Sequence, residues 1–331
     1  MTKVLVSEKY LHDIANAIRV KLNSQSTYTP AQMAAAIADI TGSISGTITP
    51  STDADKVLVT DSNLTAIANA IRAKLDVATT YTPAQMAEAI LSIQAAGPTI
   101  VSWASGTDEE IAAMIDAAHT GTIDLRQDGG WAVGDVRTIS IEAFASGDNV
   151  AHAAQSIDIV ITSFDEYMSC GNVMQFDFKE ALELGIRMNS YNTNAGGYGA
   201  SEMKTTTLPA LVNALPAWLK SRLIEFSVLV SAGNKSSTIE TVTGNKLALR
   251  SEIEVFGTNT HSFAGEGLQI SYYAIANNRS KKRGHSGTTD TWWMCSPVAS
   301  NTTGFCIVTN SGNADYSGAS MLRGVSPYGC L

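Results

Sequence analysis

The segment from Lys3 to Ile40, KVLVSEKYLHDIANAIRVKLNSQSTYTPAQMAAAIADI, returns without a gap from Lys56 to Ile93 as KVLVTDSNLTAIANAIRAKLDVATTYTPAQMAEAILSI. At this offset of 53 residues, 24 of the 38 aligned positions are identical, which marks the duplication of one small module. Leu11, Ile14, Ala15, Ile18 and Leu22 recur at the spacing of one helix face, and Leu64, Ile67, Ala68, Ile71 and Leu75 repeat that apolar stripe. A second helix has a strong start signal in each copy. Thr29 and Thr82 suit the N-cap, Pro30 and Pro83 the first helical position, and Gln32 and Gln85 stand where a capping box returns its side chain to the cap. Met33, Ile37 and Ile40 then supply the stripe of the second helix. Each copy is predicted to be a helical hairpin, and 38 residues bury too little surface to stand alone. It must pack on its twin, on another subunit or on a partner. The front of the chain is therefore expected to attach or oligomerise the protein, with a trimer favoured; the plainer reading is a spacer. A linker rich in Gly, Ser, Thr and Pro follows the first copy at about 41–52.

With 331 residues the chain has room for two or three domains. It is 44% hydrophobic but only 16% charged, with 26 glycines, so its surface is carried by neutral polar groups, as suits an extracellular or particle-borne protein. The net charge of −9 counts against a nucleic-acid binder, which needs clustered excess Lys and Arg. That charge is uneven: residues 99–194 carry 15 acidic against 4 basic side chains, and 195–331 carry 8 against 11. No apolar run of roughly 18 residues offers a membrane span. The first residues lack the apolar core of about 7–15 residues that marks a secretory signal, so synthesis in a cytoplasm without export by that route is expected, and any surface role would need lysis or assembly into a particle. Cys170, Cys295, Cys306 and Cys330 have neither a disulfide-framework nor a zinc spacing. They read as buried reduced thiols, the alternative being a strand-to-strand bridge among the last three.

Beyond Gly97-Pro98 the texture changes to Trp-, Gly- and Asn-rich sequence with β runs. Thr107-Asp108-Glu109-Glu110 opens a capped helix whose stripe is Ile111, Met114, Ile115 and Ala118. Strands are expected at 136–143 and 157–161 and a helix at 178–184. Two short helices interrupted at Pro216 are expected over 208–223, then strands at 224–230, 291–295, 304–308 and 324–328. The expected class is α+β, two small helical hairpins followed by one long domain, with boundaries 1–53, 54–98 and 99–331.

Two family resemblances follow. YTPAQMAEAI, with IANAIRAKL upstream, resembles a short module near the N-termini of tail-associated and adsorption proteins of phages that infect Gram-positive bacteria. Further on, Gly130-Trp131-Ala132-Val133-Gly134-Asp135, Gly196-Gly197-Tyr198-Gly199-Ala200-Ser201-Glu202-Met203 and Leu249-Arg250-Ser251-Glu252-Ile253-Glu254-Val255-Phe256-Gly257 precede Glu266-Gly267, Trp292-Trp293-Met294-Cys295-Ser296-Pro297 and Gly324-Val325-Ser326-Pro327. This ordered string, over roughly 125–331, resembles a bacterial and phage domain that usually ends in WWLRSP, a Phe-x-x-Val strand and GVRPA-F. The resemblance implies a C-type-lectin-like fold, the scaffold also of formylglycine-generating enzymes and of receptor-binding proteins varied by diversity-generating retroelements. Two departures stand out: Cys295 and Ser326 occupy the positions of that pattern's arginines. Either the structure compensates for both losses, or a family-level function is not kept.

No catalytic constellation is legible. His12, His119, His152, His261 and His285 are scattered, and nucleophile-elbow, zinc-protease and phosphate-loop patterns are absent. Gly196-Gly197-Tyr198-Gly199 lacks a preceding strand and reads as a turn cluster. No cofactor is expected. Ca²⁺ is the one candidate, from the lectin-like resemblance, although no acidic calcium loop is present. The basic run Arg279, Lys281, Lys282, Arg283 and His285 reads as a solvated loop or as a patch for an anionic cell-wall polymer or acidic partner. Around it Asn277, Asn278, Asn301, Asn310, Asn313, Asp315, Tyr316 and Arg323 offer adaptable hydrogen bonding, while Trp292, Trp293 and Tyr316 are candidates to stack on a sugar or anchor an epitope. Strand alternation predicts one ring of the Trp pair in the core and the other outward.

The expected function is that of a non-enzymatic phage or prophage receptor-binding protein, a tail fibre or tail-tip adhesin carried on the virion. It would meet host-surface polysaccharide or protein through loops near 277–290 and 299–323, with avidity from multiple copies, and other phage structural proteins through residues 1–98. The alternatives are a head-fibre or decoration protein, and a formylglycine-type oxidase or cell-wall enzyme using Cys295 and Cys306.

Overall fold

Because each 38-residue copy exposes an apolar stripe, the front of the chain is best followed through what covers that stripe. In the computed structural model, which describes residues 3–22, 24–40, 56–93, 98–147, 149–164, 174–284 and 287–331, both copies lie in one unit, Met1–Gly97. The linker at 41–52, Cys170 and His285 fall outside the described residues. The first copy supplies strand β1 (Lys3–Ser7) and helices α1 (Glu8–Leu22) and α2 (Pro30–Ala38). The second supplies β2 (Lys56–Thr60), α3 (Asp61–Leu75) and α4 (Pro83–Leu91). Gln32 Oε1 accepts the Thr29 backbone N–H at 2.9 Å, and Gln85 repeats this with Thr82 at 3.0 Å.

The copies close on each other. Strands β1 and β2 pair antiparallel, with Leu5 opposite Leu58, while α1 lies against α4 and α2 against α3. Ile14, Ile18, Ile37, Ile67, Ile71 and Ile90 share one core without exposure. The repeats bounded at 1–53 and 54–98 lie within a single unit, each hairpin burying its stripe on its twin.

The second unit, Pro98–Leu331, mixes helices with antiparallel sheets. Helix α5 (Asp108–His119) is capped by Thr107, whose Oγ1 accepts the Glu110 N–H, and buries Ile111, Met114 and Ile115. Strand β3 (Val136–Ile141), the short pair β4 (Phe144–Ala145) and β5 (Ala151–His152), β6 (Gln155–Phe164) and β7 (Met174–Phe178) follow. The helix expected at 178–184 is absent. Phe178 ends β7, and the next amides donate to distant carbonyls, Lys179 to Asp158, Ala181 to Lys282 and Leu182 to Val325, which removes the bonds a helix would need.

A π-turn, Met203–Thr207, leads into α6 (Leu208–Ala214), and Pro216 separates it from α7 (Ala217–Lys220). Strands β8 (Phe226–Ser231) and β9 (Ile239–Asn245) form a hairpin. Helix α8 (Glu252–Phe256) carries the Ser251/Glu254 capping box and ends at Gly257 with φ +73°. Helix α9 (Ser271–Ala274) is followed by a 3₁₀ turn, Ala276–Arg279. After the short pair β10 (Lys281–Lys282) and β11 (Thr289–Asp290), strands β12 (Trp292–Pro297), β13 (Gly304–Val308) and β14 (Ala314–Gly318) form a sheet in that order. The last strand, β15 (Tyr328–Cys330), returns to pair with β7, giving a four-stranded sheet ordered β15-β7-β6-β3.

Both faces of the β12–β13 hairpin are buried. Trp293, Cys295, Phe305 and Ile307 join the main core, while Trp292, Met294, Cys306 and Val308 join a second core with Val255, Ile270 and Tyr273. The expectation of one outward Trp ring is therefore corrected: both are 0% exposed, and their indole N–H groups donate to the carbonyls of Arg279 and Ile186. Cys295 and Cys306 are free and buried, whereas Cys330 is disulfide-bonded, so neither four reduced thiols nor a bridge among the last three cysteines is found. Among the described residues no helix is long and apolar enough to cross a membrane.

Candidate functional site

The sheet β12–β13–β14 carries the expected recognition segments at its turns and its open edge. The β13–β14 turn, Thr309–Asn313, is closed by the Gly312 amide donating to the Thr309 carbonyl, and Gly312 has φ +80°, where glycine is favoured. This turn rests on the Ala276–Arg279 turn, since Ser280 Oγ donates to the Asn310 carbonyl at 2.8 Å. The structure so brings Asn277, Asn278, Arg279, Asn310 and Asn313 together. Asn277, Asn310 and Asn313 are exposed. Asn278 Nδ2 is committed to the Tyr272 carbonyl, and Arg279 Nε to the Tyr273 carbonyl with its guanidinium over the Phe256 ring.

Next along the chain, β14 is an edge strand that exposes Asp315 and Tyr316. Tyr316 is 46% exposed and its ring meets the His261 ring edge-on at 5.3 Å, a neighbour that sequence pattern does not show because 55 residues separate the two in the chain. Asn301 is structural: its Oδ1 accepts the Thr303 and Gly304 amides and forms the β12–β13 turn. Arg323 lies apart, bridging Ile186 through its backbone beside the exposed Met321 and Leu322.

The basic run is not a solvated patch. Lys281 is 1% exposed, donates to the Phe178 carbonyl at 2.6 Å and lies near the faces of Trp292 and Tyr273. Burial pushes its pKa down to about 8. Arg283 pairs with Asp290 at 2.6 Å, and His285 is outside the described residues. Lys282 is the one member of the run that is exposed among the described residues. The two-residue strand β10 explains the difference, since alternation turns Lys281 inward and Lys282 outward.

Beneath these turns runs a buried ionic network that the sequence motif around Arg250 contains but does not announce. Arg250, fully buried, bonds Asp177 through two nitrogens, reaches Gln175, Thr162 and Glu254, and stacks 3.6 Å over the Tyr328 ring. The Tyr273 hydroxyl also donates to Asp177. Burial alone would raise the Asp177 pKa, but Arg250 and Lys281 outweigh it and hold the carboxyl below its ordinary value. For Glu254 burial wins, and its pKa is raised despite Arg250. Burial likewise pushes Glu266 up to about 7, although its Oε1 accepts the Ser231 amide.

The two departures from the arginine pattern lie in this interior. Cys295 is a neutral thiol, its pKa raised well above the ordinary value by burial and then by Glu254 and Glu266. Ser326 Oγ donates to the Phe178 carbonyl at 2.6 Å, the same oxygen that receives the Lys281 ammonium. Lys281 thus places a buried cation next to one of the vacated positions. Cys295 and Cys306 stand on adjacent strands but face different cores, and burial raises both thiol pKa values. Their side chains are thus not placed as a pair. Among the described residues, no group of three or more His, Cys, Asp or Glu side chains is arranged to hold a metal ion.

Residues 178–331 match the model of a family described as a domain of unknown function (DUF6273). No curated protein and no solved structure matches the chain. The match begins at the last residue of β7, so Thr162, Gln175 and Asp177, which bind Arg250, come from sequence outside it.

Proposed function

We propose that the protein is a receptor-binding component of a phage or prophage particle, a tail fibre or tail-tip adhesin that meets host-surface polysaccharide or protein through the turns at 276–279 and 309–313 and the edge strand β14. The observation that carries this reading is the grouping of exposed Asn277, Asn310, Asn313, Asp315 and Tyr316 on turns and an edge held by a sheet whose β12–β13 hairpin is buried on both faces. Such a rigid frame with small polar tips and an exposed aromatic is suited to non-catalytic recognition. The resemblance of the duplicated module to phage adsorption proteins supports the particle context, with residues 1–98 docking to other structural proteins. Multiple copies per particle would convert weak single sites into avidity.

The test is binding of labelled full-length protein to Gram-positive cells and to their purified wall polysaccharide, with Tyr316→Ala as the probe variant. A loss of about tenfold or more is expected for this exposed anchor. Absence of wild-type binding across a panel of hosts, or unchanged binding by Tyr316→Ala, would sink the proposal. A second reading, a decoration protein, is favoured by the inward commitment of Trp292, Trp293 and Lys281. Labelling on particles decides between them: copies along the capsid rather than the tail would support decoration.

A further inference from the structure

Away from the turns, the surface between the π-turn, α6 and the end of β9 holds an open cleft of about 290 Å³. This lies at the low end of small-molecule sites, roughly 300–1,000 Å³, and sets the occupant at the size of a single metabolite. Its apolar wall comes from Leu208, Val212 and Leu247. Three charged side chains, Lys204, Lys246 and Glu225, line the same space. Lys204 stands on the π-turn Met203–Thr207, a widened helical turn of the kind often found at functional sites.

A second observation points into the same cleft. Asn245, buried on its floor, donates Nδ2 to the carbonyls of Phe226 and Val242, which fixes the orientation of its amide. Its Oδ1 is left without a partner. An unpaired buried acceptor costs free energy unless a donor reaches it, and this oxygen has almost no accessible surface as the side chains now stand. The adjacent Gly244, at φ +68°, also lines the cleft and has open space where a Cβ would project.

We propose that this cleft binds a free apolar α-amino acid, its carboxylate between Lys204 and Lys246, its ammonium toward Glu225 and the Asn245 carbonyl oxygen, and its side chain on Leu208, Val212 and Leu247. Two cations against one anion, beside an apolar wall, match a ligand that carries both charges on one carbon and a hydrocarbon tail. Lys204 is partly buried, which lowers its pKa while Glu225 acts on it in the opposite direction, and its ammonium donates to the Gly244 carbonyl at 3.4 Å. The inference is independent of the adhesion reading, which rests on other residues.

The experiment is isothermal titration of the full-length protein with L-leucine, N-acetyl-L-leucine and L-leucinamide at millimolar concentration. Saturable one-to-one binding of leucine is expected, with each analogue, which lacks one charge, weaker by about tenfold or more. Glu225→Gln, an exposed position, should weaken leucine about tenfold while leaving N-acetyl-L-leucine unchanged. Val212→Trp should fill the cleft and abolish binding, with thermal unfolding run alongside. The proposal is overturned by absence of saturable leucine binding, by analogues that bind as well as leucine, or by Glu225→Gln that binds leucine like the wild type.

Discussion

The ammonium of Lys21 donates to the backbone carbonyl of Ile93, 72 residues further along the chain and in the other copy of the repeat, at 2.9 Å. The duplicate contact, Lys74 to Ile40, has nearly the same length, 3.0 Å. Each lysine closes the C-terminal end of its twin's second helix, where carbonyl groups lack partners of their own. Lys21→Met strands a buried carbonyl and should destabilise the front unit by about 1–3 kcal/mol, measured by urea unfolding of the full-length protein. Lys74→Met, at a less buried contact, should cost less. Equal stability of Lys21→Met and wild type would show that the contact contributes nothing.

Lys281 and Lys282 are neighbours in sequence with opposite expected behaviour. Lys281→Glu would bury a carboxylate near Asp177 and Glu180, and a loss of about 3–5 kcal/mol is expected in chemical denaturation. Lys282→Glu, on the exposed side of β10, should stay within about 0.5 kcal/mol of wild type. Similar stabilities for the two variants would contradict the burial of Lys281.

Glu266 should give the protein a pH-dependent stability. Its folded pKa of about 7 lies above the ordinary 4.5, so between these values the folded state holds a proton that the unfolded state has released. Stability from this group is fully present below pH 4.5, falls as pH rises toward 7, and stays low above it. The full effect is on the order of 3 kcal/mol. Glu266→Gln keeps an acceptor for the Ser231 amide and carries no charge. It should raise the melting temperature at pH 8 and leave it little changed at pH 4; an equal shift at both would refute the assignment.

Cys295 and Cys306 should be silent toward thiol reagents in the folded state, because burial shields both and disfavours the thiolate. Labelling by a maleimide should require global unfolding and speed up with denaturant in step with the loss of structure. Rapid modification of either residue in native buffer would overturn this.

What could be read in advance follows the range of the interactions. Helices α1 to α4 are legible because Thr29, Gln32, Thr82 and Gln85 and the isoleucine stripes act within a few residues of chain. The pair α6 and α7 is legible because Pro216 punctuates it. At 178–184 local pattern misleads, since the amides there are taken by carbonyls more than a dozen residues away, from Asp158, Lys282 and Val325. The exposure of Asn277, Asn310, Asn313, Asp315 and Tyr316 follows their residue types. Trp292 departs from the outward place that alternation predicts because a second core, built with Val255, Ile270 and Tyr273, covers its face as the main core covers that of Trp293. The network around Arg250 was hidden for the same reason, its partners lying 73, 75 and 88 residues away.

The mutual burial of the two repeat copies has a thermodynamic consequence. Two identical hairpins on separate chains would form this core only as a dimer, with a stability that depends on protein concentration. Joined in one chain, they meet at an effective concentration set by the short stretch between Ile40 and Lys56, and the cost of association is reduced to closing a loop. The front unit is a dimer made covalent, whose folding needs no third copy to cover its stripes. Its two halves are also free to diverge, because a substitution in one is no longer copied into the other.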